Sequence, residues 1–435
     1  MLLALVGVVL QALSAKCALY FDETETTLVL GTVSNVSFCI NETDRSTVFH
    51  FTSSDPNVAR VNDHSALQTD DFAFCGSVSL TALRIGYATL TWEQVGECGK
   101  DATVTSGNPG SVVVCKSGKH EVRVVRGQDT FAIGLGILIG ILVALNNINV
   151  GCQLDIAVVV AQVKKPIAPG IGMLCQFLIM PLVSYGMGML ILSDQVLRLG
   201  LFTIGCCPGG TYSNFYTLLL EGDLHLSVTM TFLSTLAALG MMPLWMYTLG
   251  KTMTGGAVPA VPYTNIMISL VVLTLPLAIG LLIQYRRPTW AKTSQNIVRP
   301  FSVSILLVAF VVGVYGYWHL LSLLRGAELA AASCVAILGF SFGAGMAWVA
   351  RLNRKQIIAV SLETAIQNTP LALVILTLSL PQPSGDIAIV PVIMLALITG
   401  VVLLTSFLVL TVYKKTQKSQ FHDLPQEVEH KDQNS

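Results

Sequence analysis

Residues 205–214 read Gly-Cys-Cys-Pro-Gly-Gly-Thr-Tyr-Ser-Asn, and residues 361–370 read Ser-Leu-Glu-Thr-Ala-Ile-Gln-Asn-Thr-Pro. Each stretch interrupts a long apolar run. In the first, Pro208 removes a backbone donor and Gly209-Gly210 weakens the helix around it. In the second, Pro370 disfavours helical geometry at Thr369 and strips a hydrogen bond from the preceding turn. Helices broken inside a bilayer leave carbonyls and amide ends to hold ions and substrate, which is the arrangement expected of a membrane carrier.

Glu363 sharpens this reading. It is the acidic residue placed nearest the middle of an apolar span, where a carboxylate costs about 2.5–3.5 kcal/mol on insertion scales. No Lys or Arg lies at comparable depth in the sequence to neutralise it. What remains is protonation, with a hydrogen bond to a neighbouring helix, or a bound cation.

Working outward, the 435 residues are 53% apolar and 11% charged, and the mean hydropathy is +0.68. Globular chains carry about 25% charge. From Phe131 to Tyr413 there are 19 Asp, Glu, Lys and Arg, nearly all between long apolar runs. These figures exclude a soluble enzyme, a disordered chain and a fibrous repeat. Basic and acidic residues balance at 25 each, so nothing invites nucleic acid. No Walker loop, HExxH or Gly-x-Ser-x-Gly is present, and the seven His are scattered; the chain reads as no enzyme.

At about 20 apolar residues per span, nine transmembrane helices are expected. They fall at 130–150, 167–191, 196–220, 224–249, 262–285, 298–318, 328–350, 356–380 and 388–412. An odd count behind a secreted front end puts the C-terminus in the cytoplasm. Basic residues agree: twelve (Lys164, Lys165, Arg286, Arg287, Lys292, Arg299, Arg351, Arg354, Lys355, Lys414, Lys415, Lys418) fall on the inner side against five (Arg123, Arg126, Arg198, Lys251, Arg325) on the outer. The plasma membrane is the expected location. The polar stretch 414–435 is expected to be a disordered cytoplasmic tail.

Ahead of the spans, residues 1–17 read as a signal peptide, a short apolar run closed by small residues around Ala12, Ser14 and Ala15. Residues 18–128 are Thr-, Ser- and Val-rich, with short alternating runs at 26–30, 33–40, 77–83 and 88–92 separated by turn clusters. That spacing predicts an antiparallel β-sandwich. The pattern of 53–62 and 80–91 resembles bacterial Ig-like repeats. Asn35-Val36-Ser37 and Asn41-Glu42-Thr43 are glycosylation sequons. Cys39, Cys75, Cys98 and Cys115 form an even set in an oxidising compartment, giving two disulfides by any of three connectivities. Cys152, Cys175, Cys206, Cys207 and Cys334 accompany apolar segments and read as packing residues.

Three stretches resemble the bile acid:sodium symporter family: GCCPGGTYSNFYTLLLEGDLHLSVTMTFLSTLAALGMMPL (205–244), VPYTNIMISLVVLTLPLAIGLLI (261–283) and VSLETAIQN (360–368). The likeness covers roughly 130–415, and the long Cys-bearing front is similar to the less characterised members with large ectodomains. The resemblance implies an all-α transporter domain over 129–413, with a core (166–250 and 328–412) against a panel (130–152 and 262–318), and two discontinuous helices crossing in the core. It implies two co-transported sodium ions. One would be held by Ser213, Asn214, Ser227, Thr231 and Glu363; Ser227 and Thr231, four residues apart, share a helix face. The other would use Gln176, the side chains of Glu363 and Gln367, and the carbonyls of Thr364 and Ile366. All are oxygen donors, as a hard cation requires. Substrate would lie near Asn214 and Asn368. The chain departs from the family at Ala365, where relatives often carry glycine, and at Pro370.

Two sodium ions beside one ionised carboxylate leave about one net positive charge in a low-dielectric site, which favours an organic anion. The expected activity is sodium-coupled import of an amphipathic organic anion, of bile-acid or steroid-conjugate type, by alternating access. Two other readings stand beside it: a receptor or adhesion protein working through the ectodomain, whose extracellular partner is unknown, and a cation/proton exchanger in which Glu363 titrates.

Overall fold

The computed structural model describes residues 19–21, 25–40, 48–70, 73–95, 114–127, scattered positions from 141 to 154, 156–210, 212–254, 263–290 except 288, and 326–432. The expected signal peptide, Asn41, Cys98 and the span at 298–318 lie outside the described residues, as does most of the span at 130–150. The chain divides into two compact units, Met1–Asp129 and Thr130–Ser435.

The first unit contains eight strands: β1 (Leu19–Phe21), β2 (Glu25–Val29), β3 (Val33–Ile40), β4 (Val48–Ser53), β5 (Ala59–Asp70), β6 (Ala73–Ala82), β7 (Gly86–Val95) and β8 (Val114–Val125). They form two four-stranded sheets, ordered β1-β3-β6-β5 and β2-β8-β7-β4. Every pairing is antiparallel except β2 with β8. Period-two alternation explains why these residues face each other across a core. Along β3, Asn35 and Ser37 are exposed while Val36 and Phe38 are buried. Val36, Phe38, Val78 and Leu80 of one sheet meet Phe51, Leu90, Trp92, Val122 and Val124 of the other in one apolar cluster. The Phe38 and Phe51 rings lie 4.9 Å apart. Asn35 therefore sits on the outer face, where a sequon is accessible. Cys39 stands directly opposite Cys75 in the β3–β6 register, and Cys115 is the second residue of β8. Strand β5 escaped the sequence reading because register shifts after Val61 and Asp63 break its alternation.

In the second unit, α1 (Ile156–Val163) occupies what the sequence placed in a loop. Then follow α2 (Ile167–Ile191), α3 (Gln195–Cys206), α4 (Tyr212–Leu219), α5 (Leu224–Met253), α6 (Tyr263–Arg286), α7 (Gly326–Val349), α8 (Arg354–Ala365), α9 (Thr369–Ser379), α10 (Ser384–Ala388) and α11 (Val390–Asp432). Among the described residues, α2, α5, α7 and the α10–α11 run over Ser384–Val412 are long and apolar enough to cross a membrane; α3 and α9 are shorter apolar helices. The third expected span is the pair α3/α4, and the eighth is the pair α8/α9. Helix starts carry their own chemistry: Asp194, Asp223 and Asn368 cap α3, α5 and α9, and Asn353 with Gln356 forms a capping box on α8. Pro370 sits in the first turn of α9, where its missing N–H leaves no bond unmade.

Two features differ from the sequence reading. Helix α11 runs on to Asp432, so the stretch from Lys414, expected to be disordered, is helical that far. Its residues from 414 to 432 include no glycine and many Lys, Gln and Glu, which favour helix, while Pro425 among them works against it. Helices α2 and α5 also contain π-turns, at Cys175–Ile179 and Met246–Gly250. No local sequence signal announces them.

Helix α7 packs closely on α8. Its Gly339 and Gly343, three residues between them, let the backbones approach. A Cβ at Gly343 would lie 2.9 Å from the Ser361 Cα and 3.0 Å from the Thr364 Cβ, whereas one at Gly345 would meet nothing within 4 Å. We therefore expect Gly343→Ala to destabilise the purified protein by about 1–3 kcal/mol. Gly345→Ala is expected to be neutral or stabilising by up to about 1 kcal/mol, through helix propensity. Melting temperatures of the two variants in the same detergent check this; equal shifts would refute the contact.

Candidate functional site

The segments between α3 and α4 and between α8 and α9 cross at their breaks. Gly209 and Gln367 form an isolated antiparallel bridge. The Gly210 amide donates to the Ile366 carbonyl at 2.8 Å, and the Asn368 amide donates to the Pro208 carbonyl at 3.0 Å. Each interrupted helix thus satisfies backbone groups of the other, as buried backbone requires. Glycine is needed here for space. A Cβ at Gly209 would fall 2.0 Å from Glu363 Oε1, and one at Gly210 would fall 2.6 Å from the Gln367 carbonyl oxygen.

Glu363 lies one turn ahead of the α8 break and is 2% exposed. Ser213 Oγ donates to its Oε2 at 2.5 Å, and Thr231 Oγ1 donates to its Oε1 at 2.7 Å. Ser227 Oγ lies 3.3 Å from Oε2 and 2.8 Å from Asn214 Oδ1. Asn214 Oδ1 also lies 3.3 Å from Thr231 Oγ1. The five residues assigned by resemblance to the first ion site therefore converge from α4, α5 and α8. Among the described residues no Lys, Arg or His pairs with Glu363. Three hydroxyl protons are shared among two carboxylate oxygens and an amide oxygen, leaving a cluster rich in oxygen lone pairs and poor in protons. Such a cluster suits a hard monovalent cation.

The second set gathers around Gln176. The π-turn of α2 places this side chain at the crossing, where its Nε2 donates to the Cys207 carbonyl and to Gln367 Oε1, both at 2.7 Å. Gln176 is 1% exposed, and its Oε1 is a buried acceptor with no hydrogen-bond partner among the described residues. Burying an amide oxygen unpaired costs about 1–3 kcal/mol, and a cation ligand would offset that. Gln367 Nε2 donates to the Thr364 carbonyl at 2.7 Å, and the Ile366 carbonyl accepts from Gly210. Both carbonyls keep a second lone pair for an ion.

Asn368, expected beside substrate, uses its Oδ1 to accept from the Leu371 amide at 3.2 Å as the cap of α9, and it is 8% exposed. Asn214, also expected beside substrate, turns its Oδ1 to the Ser227 and Thr231 hydroxyls. Ala365 is fully buried against Gly339, which leaves room for its methyl group. The sequence reading missed two participants. Thr217 Oγ1 donates to Ser227 Oγ at 3.2 Å, and Ser234 Oγ accepts from the Gly209 amide at 3.3 Å. Both continue the four-residue spacings from Ser213 and, less regularly, from Thr231, which was the available signal.

Comparison with known proteins gives the family of the chain. The sequence model of the Sodium Bile acid symporter family matches residues 140–322. The ileal sodium/bile acid cotransporter of Homo sapiens is 33% identical over 283 residues, covering 65% of this chain and 78% of that protein. The sodium-dependent organic anion transporter of Homo sapiens is 32% identical over 259 residues, covering 57% of this chain and 65% of that protein. The P3 protein of Homo sapiens is 32% identical over 251 residues, and the chain spans about half its length, 52%. With crossing helices, a cation-poor carboxylate and relatives aligned over most of their length, the chain belongs to the sodium bile acid symporter family, whose members are membrane transporters.

Proposed function

We propose that the protein is a secondary-active symporter that imports an amphipathic organic anion, of bile-acid or steroid-conjugate type, with sodium. The observation that carries this reading is Glu363: buried, bonded to the Ser213 and Thr231 hydroxyls with that of Ser227 3.3 Å away, and unaccompanied by a base among the described residues. Sodium ions are cargo here. One would lie among Ser213, Asn214, Ser227, Thr231 and Glu363. A second would lie among Gln176, Glu363, Gln367 and the Thr364 and Ile366 carbonyls. The organic anion would follow because bound cations leave surplus positive charge in a low-dielectric crossing. By linkage, sodium raises anion affinity and the anion raises sodium affinity by the same factor. Movement of the core (166–250, 328–412) against the panel (130–152, 262–318) would expose the pair to each side in turn.

The same reading covers the rest of the chain. Residues 1–17 would direct secretion, leaving the sandwich (18–128) outside, the C-terminus in the cytoplasm and the body in the plasma membrane. Asn35 and Asn41 would carry glycans. The opposition of Cys39 and Cys75 supports one disulfide, and Cys98 with Cys115 would then close the connection between β7 and β8.

Three outcomes follow. In cells expressing the protein, uptake of radiolabelled taurocholate or a steroid sulfate is expected to fall when choline replaces sodium; equal uptake in both media refutes symport. Glu363→Gln and Gly209→Ala are each expected to lower sodium-dependent uptake about tenfold or more while leaving surface protein in place. The alanine methyl would occupy the position of Glu363 Oε1. Peptide mapping of the unreduced protein is expected to recover Cys39 joined to Cys75. Recovery of Cys39 with Cys98 or Cys115 would overturn the assigned connectivity.

A further inference from the structure

We propose that Thr217 is a positioning residue for sodium: it orients the Ser227 hydroxyl so that Ser227 presents a lone pair to the ion. This rests on the sodium reading of the Glu363 cluster and extends it to a residue outside the assigned ligands.

The first observation is where Thr217 spends its proton. Outside the Glu363 cluster, where Thr231 gives its shortest bond to the carboxylate, buried threonines of the described helices bond the carbonyl four residues back on their own helix. Thr203 bonds Leu199, Thr229 bonds His225, Thr235 bonds Thr231, Thr364 bonds Val360, and Thr399 bonds Leu395, all at 2.7–2.8 Å. That local bond is the default for a hydroxyl inside a helix. Thr217, fully buried, instead reaches from α4 to Ser227 Oγ on α5.

The second observation is what holds it there. Thr217 carries the Cγ2 methyl against Gly222, whose amide donates to the Thr217 carbonyl at 2.7 Å. A Cβ at Gly222 would sit 2.8 Å from that methyl and 3.0 Å from Ile358 Cγ2 of α8, so the pocket around it is tight. The methyl thus takes space that only a glycine at 222 leaves open, and the stiff χ1 of a β-branched residue keeps the hydroxyl aimed at Ser227.

The consequence concerns one proton. Ser227 has a single hydroxyl hydrogen and two acceptors in reach, Asn214 Oδ1 at 2.8 Å and Glu363 Oε2 at 3.3 Å. The bond from Thr217 occupies one Ser227 lone pair and polarises the hydroxyl toward its nearer acceptor, Asn214, as hydrogen bonds in a chain do. The other lone pair is left for a cation, and Glu363 Oε2 is relieved of one competing donor.

The test uses the purified full-length protein in detergent and sodium chloride alone, with choline chloride holding ionic strength constant. Sodium binding raises the melting temperature of the unmutated protein, and the midpoint of that rise reports sodium affinity. Thr217→Val keeps the shape and removes the hydroxyl; its midpoint is expected to move to about three- to tenfold higher sodium, the effect of one lost hydrogen bond. Thr217→Ser restores the hydroxyl and is expected to stay within about twofold of the unmutated midpoint. An unmoved midpoint in Thr217→Val overturns the proposal, even if its sodium-free melting temperature falls, because that pattern is a packing role. Should Thr217→Val not yield folded protein, Thr217→Ala decides by the same criterion. Absence of any sodium-dependent rise in the unmutated protein is a different failure, and it removes the sodium reading itself.

Discussion

A carboxylate held away from water with hydroxyls for company, and no base among the described residues, is the constraint around which the helical unit is arranged. Moving a carboxylate into such surroundings costs several kcal/mol even after relaxation. Hydrogen bonds to a charged acceptor return about 1.5–3 kcal/mol each. Ser213 and Thr231 supply those bonds to Glu363 from two helices other than its own, and the Ser227 hydroxyl stands 3.3 Å from the same carboxylate. Keeping all three in reach demands that α4, α5 and α8 stay in register with one another. The carboxylate is therefore a structural pin, and its remaining lone pairs stay open to a cation.

The broken helices serve the same end. A helix running unbroken through this depth would turn its amides and carbonyls inward and offer an ion only side chains. By breaking side by side, α3/α4 and α8/α9 exchange backbone bonds at Gly209–Gly210 and Ile366–Asn368, so little is left unpaired. The close approach excludes a side chain at Gly209 or Gly210. Gln176 then bridges both breaks by donating to Cys207 and Gln367, and its buried oxygen has no hydrogen-bond partner among the described residues.

Much of this was legible in the residues. Proline and paired glycines inside apolar runs mark a break whatever surrounds them, because their effect is on the local backbone. Glu363 stood out because nothing nearby in sequence compensates it. Ser227 and Thr231 share a face by spacing alone. The contribution of Gln176 was not legible from residue type, since a π-turn brings it to the crossing and such turns leave no compositional mark. Thr217 and Ser234 looked like ordinary helix hydroxyls, which by default bond their own helix. The strand β5 was hidden by its bulges, and the helical course of 414–432 by its polar composition, which reads as tail as readily as helix.

The sequence by itself determined that the chain pairs an alternating, Cys-bearing front with an apolar helical body, and where two of its helices break. Those properties follow from period, composition and backbone chemistry, each of which acts over a few residues. Only the tertiary structure decided which hydroxyls reach Glu363, that Asn214 joins them while Asn368 caps a helix, and that Cys39 meets Cys75 across two strands. Those are contacts between segments up to 191 residues apart, as for Gln176 with Gln367. They depend on how helices and strands pack, for which no local pattern carries the information.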